Sequence, residues 1–403
     1  MTGIKEIILH KSFLFKDEVI ELRRHFHRNP ELSYQEYNTA SFIEGYLKKY
    51  NISFRNGIAD TGIIARIDGL RENGRVIAVR AEMDALPVTE KNNAPYKSIH
   101  TGRMHACGHD AHMAMLLGTV RVISDIKSHF GGTVLFIFQP GEEKSPGGAK
   151  LIIDTGELNA PRPDIILAQH ILPELETGKV GYRSGQYMAS CDEIYITVSG
   201  KGGHAAHPKL TTDQIYIASK LIVKLKDEVV RKQTENGIPT VLGIGKITGE
   251  GATNVIPETV EIAGTFRTFS EDWRLEAQKL ILSVSDEIAR ATGVTINVRI
   301  EKGYPVLMNN EALTERAAGL SRELLGEEKV EIFSETRMSS DDFSFYSSLA
   351  PSLYFRVGIK KKDNEMKKLH TPEFDLDEEG LETGVANMSW LILNFSTENP
   401  AVY

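Results

Sequence analysis

Cysteine is scarce: two residues in 403, Cys107 and Cys191. That excludes a disulfide framework and fits a reducing compartment, where a thiolate stays available to metal. No stretch approaches the roughly 18 consecutive apolar residues of a membrane helix. The first residues, MTGIKEIILHKSFLFKDEV, are broken by Lys5, His10, Lys11 and Lys16. They lack the unbroken apolar run and small-residue cleavage site of a secretory signal, so a cytoplasmic protein is expected. Basic charge is not in excess either: 47 Lys and Arg against 55 Asp and Glu give a net charge of −8. The one short basic run, Lys360–Lys362, sits beside Asp363 and Glu365 as a solvated loop would. Neither a nucleic-acid surface nor a membrane partner is expected. Internal repeats and low-complexity segments are absent. What remains is 41% hydrophobic and 25% charged, the composition of a globular protein, and long enough for two domains.

The hydrophobic patterning changes along the chain. Lys16–Asn29 reads as an amphipathic helix stopped by Pro30. Ser33 and Glu36 have capping-box spacing before a second helix to about Tyr50. Short apolar runs follow: Gly62–Ile67, Val76–Ala81, Thr133–Phe138 and Asp164–Ala168. Thr133–Phe138 is continuously apolar, as strands buried on both faces are. Helices over Asp110–Lys127 and Gly148–Thr155 separate them, so this part predicts a three-layer α/β domain with a mostly parallel sheet. From about Tyr187 the strands alternate, as in Glu193–Ser199. Thr240–Ile247, Thr259–Phe266 and Val294–Ile300 add three more strands. A helix opened by a Thr211/Gln214 capping box and another opened by Ser270 complete an α+β unit with a four-stranded antiparallel sheet. After Pro305 the first pattern resumes with helix Glu311–Leu325, strands near Glu331–Phe333 and Ser352–Val357, and helix Asp377–Phe395. The expected division is a catalytic domain over 1–187 and 305–403, interrupted by an inserted domain over 188–304.

Chemistry concentrates in Met104–Gly118, MHACGHDAHMAMLLG, which places His105, Cys107, His109, Asp110 and His112 within eight positions. Thiol, imidazole and carboxylate at this density point to a metal. The loop feeds a helix that Asp110 is expected to cap. Three apolar strands run into polar residues: Glu82 and Asp84, then Glu142 and Glu143, then Gln169 and His170. Ligands gather at the carboxyl ends of parallel strands. Of the Glu142–Glu143 pair, one carboxylate can bind metal while its neighbour acts as a general base; the other reading is a charged turn. His170 alone reads as a core histidine, and His370 alone is a weak signal. With Cys107, His109 and Glu143 they make five candidate ligands of types that zinc or manganese accepts. Five exceed one tetrahedral site, so two metals with a bridging ligand is the natural count.

The strings RAEMDALP, MHACGHDAHMAMLLG, QPGEE, GKGGHAA, TNVIPE, SSDDFSFY and LHTPEFD occur in this order from Arg80 to Asp375. With RRHFHRNPELSYQE before them, the chain resembles the amidohydrolase branch of the aminoacylase and glutamate-carboxypeptidase superfamily. That branch includes hippurate hydrolases, indoleacetyl–amino acid hydrolases and N-acyl-amino acid amidohydrolases. The resemblance implies a dinuclear centre of manganese or zinc, with cobalt or nickel also accommodated. Its ligands would be Cys107, His109, Glu143, His170 and His370, with Cys107 as bridge and Glu142 as general base. The inserted domain would be a lid that also pairs two chains into a homodimer. His204 would polarise the scissile carbonyl, and Asn254 and Arg267 would grip the substrate's carboxylate. Asp84 and Glu82 would stand behind the ligands, His105 and His112 with them or in helix packing. The implied reaction is hydrolysis of N-acyl-L-amino acids. Alternatives are a carboxypeptidase or dipeptidase acting on short peptides, and a catalytically silent binding dimer. Three positions depart from the branch: Glu82 replaces its usual Asp, Lys209 follows Pro208 where a histidine is usual, and Asp341 replaces Glu.

Overall fold

The computed structural model describes residues 2–360 and 367–397; most of the basic run around Lys362, with Asp363 and Glu365, lies outside them. The described chain forms two compact units. One comprises residues 1–187, 308–335 and 342–403, and the other residues 188–307 and 336–341. The short stretch 336–341, which sequence order groups with the first part, clusters with the second.

The first unit is built on an eight-stranded mixed sheet. Its order is Ser53–Ile58, Gly62–Asp68, Gly131–Gln139, Arg71–Glu82, Ile165–Glu176, Ser352–Lys360, Val180–Tyr182, Val330–Ile332. The central neighbours run parallel: Arg71–Glu82 beside Gly131–Gln139 and Ile165–Glu176, and Ser352–Lys360 beside Ile165–Glu176. Their apolar cores, such as Val76–Val79 and Val134–Phe138, are continuous because both sheet faces are covered. Ile77, Val79, Val134, Phe136, Leu167 and Phe355 face the main helical layer and are fully buried. That layer holds helices Thr2–Arg28, His109–Asp125 and Gly380–Thr397, which pack on one another. The short helix Gly148–Asp154 and the 3₁₀ segment Asp342–Ser348 also pack together, and the Phe343 ring lies 5.6 Å from Tyr354.

The second unit is an α+β sandwich. Its antiparallel sheet has the order Thr240–Thr248, Thr259–Thr268, Asp192–Ser199, Thr295–Lys302. Alternation puts Ile194, Ile196 and Val198 against helices Gln214–Asn236 and Glu271–Thr292, which return Ile217, Leu221, Leu225, Ala277, Ile281 and Val284. Each large side chain so buried contributes about 1.5–3 kcal/mol. Gly237 and Gly293 end the two helices with φ of 69° and 72°, where other residues would be strained.

Several local expectations are corrected. The first helix starts at Thr2, not Lys16; exposed Phe13 and Leu14 blur its apolar stripe. The second helix starts at Tyr37, and its N-cap Glu36 makes no side-chain cap bond. Asp110 does not cap helix His109–Asp125: Gly108 is the N-cap, and Asp110 bonds to Arg23 and His27. Asp213, rather than Thr211 with Gln214, caps Gln214–Asn236 by accepting from the Tyr216 N–H. Ser270 caps its helix as expected. His170 does not end a strand, since Ile165–Glu176 runs on past it. It does lie beyond the last pairing with Arg71–Glu82, Arg80 with Ala168, and so at that neighbour's carboxyl edge.

Candidate metal centre

The Cys107-Gly108-His109 step places two donors side by side at the start of a helix. Gly108 has φ 85°, and a Cβ there would fall 2.1 Å from Ile171 Cδ1. Only glycine fits this left-handed turn. His109 through Val120 are all buried, so the helix is held rigidly from every side. His170 arrives on its strand, Glu142 and Glu143 in the turn after Gly131–Gln139, and His370 on the segment before the last helix. The His370 segment is tied to the cysteine loop by a hydrogen bond from the His370 N–H to the Ala106 carbonyl at 2.8 Å.

Cys107 Sγ lies 3.3 Å from His370 Nε2 and 3.5 Å from His170 Nε2. His370 Nε2 in turn lies 3.3 Å from Glu143 Oε1. Two donor groups result, each with ligand atoms within 4.8 Å of one another: Cys107 with His109 and His170, and Cys107 with Glu143 and His370. Cys107 belongs to both. A third group of the same span joins His109, Glu142 and Glu143, so Glu142 stands beside the donors, itself only 7% exposed.

Hydrogen bonds fix which imidazole nitrogen faces the centre. His109 Nδ1 donates to the Asp84 carbonyl at 2.8 Å, with Asp84 Oδ1 at 3.4 Å. His170 Nδ1 donates to the Ile171 carbonyl at 2.7 Å. Both Nε2 atoms are thereby left as donors to a metal, the usual arrangement for metal-bound histidines. Asp84 Oδ2 also accepts from the Ser33 hydroxyl at 2.7 Å and the Glu143 N–H at 2.9 Å. Burial opposes its charge, but His109 and these donors hold its carboxyl below the usual range.

The residues present fit a metal. Burial, with Glu143 nearby, pushes the Cys107 thiol up to about 12, yet the Nε2 atoms of His170 and His370 lie within 3.5 Å of the sulfur. Glu143 Oε1 is buried without a hydrogen bond to any of the described residues. A cation among these atoms would deprotonate the thiol and satisfy the carboxylate together.

Behind the donors lies a buried set that the sequence signals only weakly. Arg80 pairs with Glu82 and with Asp342, and its Nε donates to Gln139 Oε1 at 2.9 Å. Glu82 Oε2 accepts from His112 Nδ1 at 2.8 Å, and His112 Nε2 accepts from the Ile171 N–H at 3.1 Å. Both nitrogens of His112 are thus committed within the protein. Burial raises the cost of charge at Glu82, but Arg80 and His112 hold it well below the usual carboxylate range. His105 is fully buried and neither ring nitrogen has a hydrogen-bond partner among the described residues; burial pushes it down to about 3. An arginine in an apolar strand followed by an acid two residues on was the one available hint of the Arg80 set.

The structure gathers Cys107, His109, Glu142, Glu143, His170 and His370 in the first unit, with Asp84 and Glu82 behind them. His204, Asn254 and Arg267 belong to the second unit. His204 and Asn254 are neighbours there: His204 pairs with Val255 in a two-stranded ribbon, and the Ala205 N–H donates to the Asn254 carbonyl at 2.9 Å. Both are exposed. Arg267 is half-buried and donates from Nη1 to the Met338 carbonyl at 3.0 Å.

Residues 78–394 match the model of peptidase family M20/M25/M40. An N-acetyl-L-cysteine deacetylase of Bacillus subtilis is 37% identical over 362 residues, covering 90% of this chain and 84% of that protein. Thermostable carboxypeptidase 2 of Saccharolobus solfataricus is 33% identical over 387 residues, covering 95% and 96%. Among solved structures, a dinuclear metal-binding peptidase of Bacillus subtilis from family M20 superposes with a TM-score of 0.81 at 31% identity, covering 94% of this chain and 98% of that one. The chain belongs to peptidase family M20/M25/M40 and is a metal-dependent hydrolase of its amidohydrolase branch.

Proposed function

We propose that the chain hydrolyses the amide bond of N-acyl-L-amino acids at a centre of two divalent ions, manganese or zinc. The observation that carries this reading is Cys107 shared between two donor groups, with Glu142 beside them and outside both. Cys107, His109 and His170 would hold one ion; Cys107, Glu143 and His370 would hold the other. When bound, the ions supply a nucleophilic water of lowered pKa and polarise the substrate carbonyl. Glu142 would take a proton from water as its oxygen bonds to the carbonyl carbon, and would return it to the amine as the C–N bond breaks.

The second unit supplies the substrate-binding residues. The Ala206 N–H donates to His204 Nδ1 at 3.1 Å, which sets the neutral ring with its proton on Nε2. His204 can then donate to the developing oxyanion. Arg267, already oriented through Nη1, receives the free carboxylate through Nε and Nη2, a two-pronged contact that lysine could not make. Asn254 adds a hydrogen bond to the same group. The unit also suits pairing of two chains. Tyr216, Val223 and Val230 form a seven-residue stripe on Gln214–Asn236 and are 59%, 59% and 62% exposed. Thr240–Thr248 is an edge strand of its sheet.

Relatives named as a deacetylase and as a carboxypeptidase make the acyl group the open variable. The deciding experiment is a panel of acetyl- and benzoyl-amino acids and dipeptides, assayed with manganese, with zinc and with chelator. Turnover of acyl amino acids that chelator abolishes is expected. Faster turnover of dipeptides would favour the peptidase reading, and a metal-free protein with no turnover would leave the silent dimer.

A further inference from the structure

The turn that carries Glu142 and Glu143 is held by a segment more than a hundred residues earlier in the chain. Fully buried Glu36 accepts at Oε1 from the Gly141 N–H and the Tyr34 N–H, each at 2.9 Å. Its Oε2 accepts from the Thr61 hydroxyl at 2.9 Å. Tyr34 donates its hydroxyl to the Lys144 carbonyl at 2.6 Å and accepts from the Gly147 N–H at 3.1 Å. The Glu143 N–H goes to Asp84, which Ser33 also contacts. Gly141, Glu143, Lys144 and Gly147 are thus each gripped through the backbone.

Two strained positions mark the same contact. Tyr34 has φ 66°, a conformation bulky residues rarely adopt and one that costs about 1–3 kcal/mol. Gly141 has φ 57°, and a Cβ on it would fall 2.2 Å from the Tyr34 ring. The Ser33–Glu36 spacing has the form of a helix cap, but neither side chain caps the helix; both turn toward the acid-bearing turn and its support.

The geometry points to Tyr34 and Glu36 as positioning residues that hold Glu142 in place for proton transfer. The inference rests on Glu142 being the general base. Neither residue belongs to any of the donor groups, so both act through the backbone of residues 141–147. The surroundings demand acceptors, not charge, from Glu36. A glutamine there keeps Oε1 for the two N–H groups and donates Nε2–H to the Thr61 hydroxyl, which can reverse its role.

The test compares Tyr34→Phe, Glu36→Ala, Glu36→Gln and Glu142→Gln in the metal-loaded chain, reading kcat, KM and metal per chain. Tyr34→Phe and Glu36→Ala should lower kcat by about 10- to 100-fold, the scale of a small misplacement of a reacting group. KM should stay within about twofold and metal content should not change. Glu36→Gln should recover most of the loss. Parental kcat in both Tyr34→Phe and Glu36→Ala would overturn the proposal, as would Glu36→Gln falling as far as Glu36→Ala. Should Glu36→Ala fail to fold, Tyr34→Phe decides alone. Glu142→Gln separates the two readings: if it keeps activity the general-base assignment fails, whereas an inactive Glu142→Gln beside fully active Tyr34→Phe and Glu36→Ala removes only the positioning role.

Discussion

Asp110 stands in the first turn of helix His109–Asp125, yet its Oδ2 accepts from Arg23 Nε at 2.8 Å rather than from the helix backbone. Both side chains are fully buried. Arg23 also reaches Asp375 and Glu378, each at 3.2 Å, and so ties the first helix to the cysteine loop and to the segment after His370. Replacing Arg23 by methionine leaves Asp110 buried without its cation. Unfolding free energy should fall by about 3–5 kcal/mol, the scale for breaking a buried pair. Urea denaturation of the two chains measures it. A loss under about 1 kcal/mol would show that His27 alone can hold Asp110.

Glu36 titrates in the opposite sense to Asp110. Burial, reinforced by the nearby Asp84 charge, raises Glu36 to about 7, whereas Arg23 and His27 overcome burial to hold Asp110 far below the usual carboxylate range. A raised folded-state value means the folded chain binds the extra proton between pH 4.5 and 7. Its contribution to stability is therefore complete below pH 4.5 and lost as pH rises through 7, up to about 3 kcal/mol at 1.36 kcal/mol per pH unit. Unfolding of the parent and of Glu36→Gln at pH 5 and pH 8 should show a steeper decline in the parent. Equal slopes would place the titration elsewhere.

Because Cys107 is common to both donor groups, its loss should differ in kind from loss of His170 or His370. Cys107→Ala should bind neither ion tightly, whereas His170→Ala and His370→Ala should each retain about one ion per chain. Elemental analysis after dialysis gives the count. Two ions retained in Cys107→Ala would refute the shared role.

Glu82 can be replaced by the aspartate usual in the branch. The shorter side chain withdraws the carboxylate by about 1.5 Å, one carbon–carbon bond, from His112 Nδ1, now 2.8 Å away. His112 then loses the bond that fixes its tautomer, and with it the Ile171 N–H next to His170. A loss of about 1–3 kcal/mol in unfolding free energy is expected, with metal affinity lower by about tenfold or more. Unchanged values in both would show that the shorter acid reaches the same partners.

These features differ in how far the sequence betrays them. Thr133–Phe138 and Glu193–Ser199 announce themselves because burial on two faces and on one face leave different patterns. Ser53–Ile58 does not: it is an edge strand with five of its six residues at least partly exposed. Val180–Tyr182 is too short to carry a period. Capping spacings misled at Ser33, Asp110 and Thr211, where tertiary partners or a neighbouring residue took the role that local chemistry offered. The candidate donors are legible because thiol, imidazole and carboxylate seldom gather by chance. Arg23, Arg80 and Asp342 are not, since a single charged residue gives no sign of the partner that buries it.

The donor groups also carry a record of chain order. Cys107 meets His170 across 63 residues and His370 across 263. No fragment ending before His370 can assemble both groups, so an ion held by the second group would wait on closure of the 263-residue contact. Loop closure over such lengths is slow compared with forming helix His109–Asp125 itself. Metal uptake followed in time during refolding would therefore report closure of that contact rather than formation of the helix.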